Sequence, residues 1–215
     1  MMNTKEIPND MLFKIALEYD MPTLLNFCRT SKKINNLICE NNLFWFYKLR
    51  KDFDITKKVE EAKEYYTFLY QRLKNTDINQ LYYDATEEGN LDLVKITLDR
   101  GANINYRPND TLEYPLINSL KNIDIFEYIL RRNPKIYPEI FSKTVIYINT
   151  LPKSEYKTKL AILQFDNMIP LLYKESRFSK QQWGIIASVL ERFREKMPDV
   201  YNRRINELRT LAGEL

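Results

Sequence analysis

The sequence predicts an all-α fold, and three observations carry that expectation. Apolar residues recur at helical spacing, helix-starting residues stand in front of those runs, and only four glycines occur among 215 residues. Tight β-turns and phosphate-cradling loops draw on glycine's freedom at positive φ, so its scarcity argues against an all-β fold and against a nucleotide-binding loop. Apolar residues make up 44% of the chain and aromatics 13%, enough nonpolar surface to build a core. The length suits a small module joined to a larger one.

Composition also excludes function classes. The 33 basic and 29 acidic residues are spread along the whole length, giving a net charge of +4 that is too diffuse to point to nucleic acid. There is no histidine, which removes the commonest general base, the commonest zinc ligand and every Ser/His or Cys/His nucleophile arrangement. Two adjacent carboxylate pairs, Glu60 with Glu61 and Glu87 with Glu88, point about 100° apart on a helix and do not converge on one substrate atom. The expectation is a non-enzyme with no cofactor and no metal. No apolar run approaches the ~20 residues needed to cross a bilayer, and the opening MMNTKEIPND lacks the apolar centre of a signal peptide. Cys28 and Cys39 fall in helical patterns where a free thiol acts as a small hydrophobe. A soluble protein of a reducing intracellular compartment, with no membrane contact, is therefore expected.

Residues 4–50 read as a cluster of short helices. Asn9 and Asp10 can cap a first helix, behind which Met11, Leu12, Ile15, Ala16 and Tyr19 recur at helical spacing. Pro22 suits the first turn of a second helix with Leu24, Leu25, Phe27 and Cys28 on its apolar side. Thr30 or Ser31 can start a third helix with Ile34, Leu37 and Ile38, and Asn41 or Asn42 a fourth with Leu43, Phe44, Trp45, Phe46 and Leu49. A cluster of this size is marginal without a partner.

These residues resemble an F-box, whose pattern opens on Leu-Pro, continues Glu-Ile-Leu and closes on Leu-Trp. Ile7-Pro8 stands for the first pair, Asp10-Met11-Leu12 for the triplet and Phe44-Trp45 for the last pair, while Leu24, Leu25 and Cys28 fall where the family has Leu-Leu and a following Cys. Ile7 replaces Leu, Asp10 replaces Glu, and the Arg-Trp pair that follows the family's Cys is absent. The resemblance implies docking on the Skp-family adaptor of an SCF-type cullin-RING ubiquitin ligase. Its contact surface would be drawn from Ile7, Pro8, Met11, Leu12, Ile15, Leu24, Leu25, Cys28, Phe44 and Trp45.

Residues 51–79 read as a linker helix joining one module to the next, with Tyr65, Phe68, Leu69 and Leu73 on one face and the charge run KKVEEAKE on its solvated side. Residues 80–136 carry the strongest local pattern. In LYYDATEEGNLDLVKITLDRGANIN, Ala85 sits late in one helix, Gly89 permits a turn, Leu91 to Leu98 form a second helix, and Gly101 ends it in a left-handed conformation. This resembles an ankyrin repeat. A second copy follows, with Asn122, Asp124, Phe126 and Leu130 placed 32 residues after Asn90, Asp92, Val94 and Leu98. In that copy Pro115-Leu116 stands for the family's Thr-Pro-Leu start, the turn glycine is missing, and Asn133 replaces the stop glycine. Tighter or distorted helix packing is expected there.

Residues 137–215 read as further helices broken at Pro138, Pro152, Pro170 and Pro198, either a helical end-cap or strongly diverged repeats. Ser179 with Gln182 forms a capping box ahead of an apolar stripe from Trp183 to Met197. Five arginines from Arg192 to Arg209 alternate with acids and read as a solvated face. An F-box before ankyrin repeats, in a chain rich in Asn, Ile, Lys and Tyr, resembles proteins encoded by large DNA viruses. That implies a receptor in the host cytoplasm which brings an unknown target protein to a host ligase. The alternative is a repeat scaffold with no ligase role.

Overall fold

The computed structural model of the chain describes residues 7–108, 114–152 and 154–174, with Pro198 and Asn202 as isolated positions beyond them. Every element among the described residues is helical, and none is a strand. The capping box at Ser179, the stripe behind it and the arginines from Arg192 onward lie outside the described residues. The chain divides into two compact units, residues 1–77 and 78–215.

The first unit contains α1 (Asn9–Leu17), α2 (Met21–Cys28), α3 (Lys32–Ile34) running into a π-helical turn (Asn35–Cys39), α4 (Asn42–Phe53) and α5 (Ala62–Asn75). Local chemistry sets most of the starts. Asp20 accepts from the Thr23 amide at 2.9 Å, Ser31 from that of Ile34 at 3.2 Å and Asn41 from that of Leu43 at 3.0 Å. The first helix differs from expectation. Its cap is Pro8, with no side-chain bond, and Asn9 and Asp10 lie inside its first turn. Pro8 can take that place because the cap needs only its carbonyl, which accepts from Leu12 N at 3.0 Å. Tyr19 lies beyond the end of α1 and meets Phe27 edge-on.

Trp45 is the centre of this unit. Its ring is fully buried between Phe44 and Tyr66, and its Nε1 donates to the Cys39 carbonyl at 2.9 Å. Tyr66 comes from α5, so the segment read as a linker is part of the first unit's own core. Its buried face is Ala62, Tyr66 and Leu69, one step round the helix from the face expected, and Phe68 is left exposed. Asn42 fixes the start of α5 by accepting from Ala62 N and donating to Glu60 O, both at 2.8 Å.

Two features of this unit were not expected. Lys48 is buried, with Nζ 2.7 Å from Asp52 Oδ2 and 2.9 Å from the Leu17 carbonyl, and Tyr66 donates its hydroxyl to the same carboxylate at 2.7 Å. A charge can be held there because every partner it needs is within reach. The second correction concerns the cysteines, which are not free: Cys28 and Cys39 form a disulfide with Cα atoms 6.2 Å apart. Both lie in one small core on facing elements, and spacing along the chain could not show that their Cβ vectors converge.

The second unit is a stack of helix pairs: α6 (Ile78–Glu88) with α7 (Leu91–Asp99), α8 (Pro115–Asn118, extended by a 3₁₀ turn over Ser119–Lys121) with α9 (Ile123–Arg131), and α10 (Pro138–Thr150) with α11 (Glu155–Leu163). The second helix of each pair is capped by a polar side chain, Asn90, Asn122 and Ser154, at intervals of 32 and 32 residues. Two of the three first helices open on Tyr-Pro, at Tyr114-Pro115 and Tyr137-Pro138. The 3₁₀ turn stands where the second copy lacks its turn glycine. Fewer residues connect the two helices, and the tighter winding absorbs the difference.

Neighbouring pairs are tied by hydrogen bonds and an ion pair. Asn122 Nδ2 donates to the Gly89 carbonyl at 3.3 Å, and Tyr156 donates its hydroxyl to the Leu120 carbonyl at 2.6 Å. Asn105 Oδ1 accepts from Lys135 N at 2.7 Å, and Arg132 pairs with Asp99. Gly101 (φ 91°) and Asn133 (φ 53°) stop α7 and α9 in the left-handed conformation. Pro138 starts α10 and Pro152 falls in the break before α11, but Pro170 does not break the chain. A π turn (Gln164–Met168) leads from α11 directly into α12 (Ile169–Lys174), and its widened winding gives room for a proline just after it.

Candidate functional site

Helix geometry decides which residues of the first unit face outward. In α1 the buried stripe is Leu12 and Ala16, and Met11 and Ile15 each lie one residue earlier, turned by about 100° onto the helix edge. They are 52% and 38% exposed. In α4, Phe44, Trp45, Lys48 and Leu49 face in, and Leu43 and Tyr47, again four apart, are 58% and 42% exposed. Leu25 on α2 is 37% exposed beside the buried Leu24. Phe13 links the elements from beneath, edge-on to Phe44 at 5.1 Å and to Tyr47 at 5.9 Å. A core that is already closed thus carries these five large apolar side chains on its outside, with Phe68 of α5 as a sixth.

The ten residues named from the sequence separate accordingly. Met11, Ile15 and Leu25 are surface side chains, Pro8 is exposed, and Ile7 is half-buried. Leu12, Leu24, Cys28, Phe44 and Trp45 are buried, with exposures between 0% and 5%, so they hold the helices in place and cannot touch a partner directly. Half of the ten residues named therefore face the unit's own core. An F-box pattern marks positions without saying which of two adjacent apolar residues turns inward. Sequence reasoning also missed Tyr47 and gave Leu43 to the core. Their i, i+4 spacing one step from Phe44 and Lys48 was the available signal.

Charge holds these helices at their ends. The Leu17 carbonyl, at the last residue of α1, accepts from Lys48 Nζ at 2.9 Å and from Lys51 Nζ at 3.2 Å. Two ammonium groups therefore meet the negative end of the helix dipole. Lys51 also pairs with Glu18, and its hydrogen bond holds that carboxyl below the usual glutamate value. The side-chain hydrogen bond from Thr23 does the same for Asp20, the cap of α2.

The second unit has a shallow cleft of about 310 Å³ between α7 and α9, lined by Leu91, Lys95, Asp124, Glu127, Tyr128 and Arg131. Its charges are already answered. Glu127 pairs with Arg131 and Lys159, while the Lys95 ammonium and the Arg132 guanidinium stand 5.7 Å and 4.9 Å from the Tyr128 ring centre. Burial raises the Tyr128 phenol above its ordinary value. This row of contacts stitches one helix pair to the next and leaves no group poised for proton transfer. Glu60, Glu61, Glu87 and Glu88 are all exposed. No group of three or more His, Cys, Asp or Glu residues among the described residues could hold a metal, and no helix among them is long and apolar enough to cross a membrane.

Compared with family models, with curated proteins and with solved structures, the chain finds no match.

Proposed function

We propose that the first unit is an F-box-like docking module for the Skp-family adaptor of an SCF-type cullin-RING ligase, and that the helix pairs and the C-terminal region hold a target protein for ubiquitin transfer. On this reading the chain performs no bond chemistry and works in the cytoplasm. One observation carries the proposal: Met11, Ile15, Leu25, Leu43 and Tyr47 stay outside a core that is complete without them. Large apolar side chains concentrated on one small unit mark a surface that another polypeptide covers. Covering each of the five would yield on the order of 1 kcal/mol, part of what a complex needs to offset the cost of association.

The test is a pull-down with purified adaptor. Retention of the intact chain, lost on Met11→Asp combined with Leu25→Asp while the far-UV circular dichroism stays native, supports docking. Substituting Leu12 would confuse docking with unfolding, because that side chain is 1% exposed. A second reading, a binding scaffold with no ligase role, has its own support. Three capped helix pairs reach the number at which a stack of this kind is self-sufficient. No retention of the intact chain by the adaptor leaves that reading alone.

A further inference from the structure

We infer that the Cys28–Cys39 bond is a redox latch on the docking face, an inference that rests on the docking reading of the first unit. The bond joins the last residue of α2, the helix of Leu25, to the last residue of the π turn that precedes α4, the helix of Leu43 and Tyr47. Between the two sulfurs lies the whole of α3 and that turn.

The π turn is the movable part. Glu40 N donates to Asn35 O at 2.9 Å, five residues back, where an ordinary α-helix would reach only four. Resetting the turn to α winding would rotate everything after it by about 100° and shift it by about 1.5 Å. Two bonds transmit that choice to α4. The Cys39 carbonyl receives Trp45 Nε1, and Asn41, two residues on, donates to the Leu37 carbonyl at 3.1 Å and caps α4. Cys39 is the last residue of the turn, so its bond to Cys28, with the Cα atoms 6.2 Å apart, ties the turn's end to α2 and favours the π form. With the bond broken, α winding becomes accessible, and the first turn of α4, with Leu43 on it, is no longer fixed by the π turn through Trp45 and Asn41.

The reaction balances with a thiol reductant of the glutathione or small dithiol class. Its thiolate attacks one cysteine sulfur, giving a mixed disulfide and a cysteine thiolate that takes up a proton. A second reductant thiol then releases the other cysteine as a thiol. The reductant leaves as its own disulfide, carrying the two electrons' worth of oxidation, and the reverse sequence restores the latch. Cys28 and Cys39 are only 5% and 3% exposed, so exchange waits on local opening, which makes this a slow setting of state and not a rapid signal.

Hydrogen exchange on the full chain tests it, before and after dithiothreitol, beside the Cys28→Ser plus Cys39→Ser variant and an alkylation count by mass. The expected result is no alkylation before reduction and both cysteines alkylated after it. Amide exchange should rise about tenfold or more over residues 35–43 and stay unchanged over 62–75 and in the second unit. The serine variant should match the reduced protein with or without reductant. Alkylation of the unreduced chain, unchanged exchange at 35–43, or an equal rise through the whole first unit would each overturn the latch. Adaptor retention measured on the same samples separates the two proposals. A several-fold fall on reduction supports the latch, equal retention in both states removes it and leaves docking standing, and retention in neither state removes docking and with it the latch's purpose.

Discussion

The two units reach stability by opposite routes. The first has no repeated element. It is held by one tryptophan between two aromatic rings, a disulfide, and a buried ammonium satisfied by a carboxylate and a helix end. The second repeats a single solution, a capped helix pair, with side chains bonding from one pair to the next. A singular core can close while leaving apolar side chains outside, because its stability does not depend on them. A stack spends much of its apolar surface between successive pairs, although Tyr137, Ile146 and Ile162 also stand exposed on this unit. On the proposed reading, the first unit does the docking and the second holds the target.

The comparison breaks most visibly at Trp45. Trp45→Ala should cost about 4 kcal/mol and unfold the first unit, while helicity from the second persists as a separate transition in urea-dependent circular dichroism. Asp52→Ala comes next, because it strands Lys48 in the core. A loss of about 3 kcal/mol is expected from chemical denaturation, whereas Lys48→Met, which fills the same space without a charge, should stay within about 1 kcal/mol of wild type. In the second unit the caps and the bonds between pairs should each matter less. Asn122→Ala removes a cap and the bond to the Gly89 carbonyl for about 1.5 kcal/mol, and Ser154→Ala removes a cap alone for about 1 kcal/mol, both read as shifts in the second transition.

The smallest effect is set by pH. The hydrogen bond from Thr23 holds the Asp20 carboxyl below its unfolded value, so its contribution is fully present above that unfolded value, near 4, and is lost as pH falls through the lower folded one. Asp20→Asn keeps a cap but has no proton to gain. An acid titration of the first unit's melting temperature should therefore be flatter for the variant below about pH 4.

Much of the helical architecture was legible in the sequence, for a physical reason: caps and apolar spacing are local. Asn41, Ser31 and Gly101 act where a reader of the chain would put them. Asn133 takes the left-handed stop that its small polar side chain tolerates. The third helix pair was hidden because its apolar residues do not follow the pattern of the first, yet its cap, Ser154, keeps the 32-residue interval from Asn122. What was not legible depended on convergence in space. The disulfide, the burial of Lys48 and the inward turn of Phe44 and Trp45 all follow from how helices meet, which no spacing along one helix reports. For the docking surface the consequence was direct. Of adjacent apolar residues on these helices, one turns inward and the other outward, which the pattern does not distinguish.

The claim that the first unit offers its outer apolar side chains to an adaptor is tested most directly by hydroxyl-radical footprinting of the intact chain with and without purified adaptor. The account predicts that oxidation of Met11, Ile15 and Leu25 falls on complex formation while Trp45 stays unreactive in both states. Protection confined to the second unit, or no protection at Met11 in a mixture where the complex has formed, would contradict it.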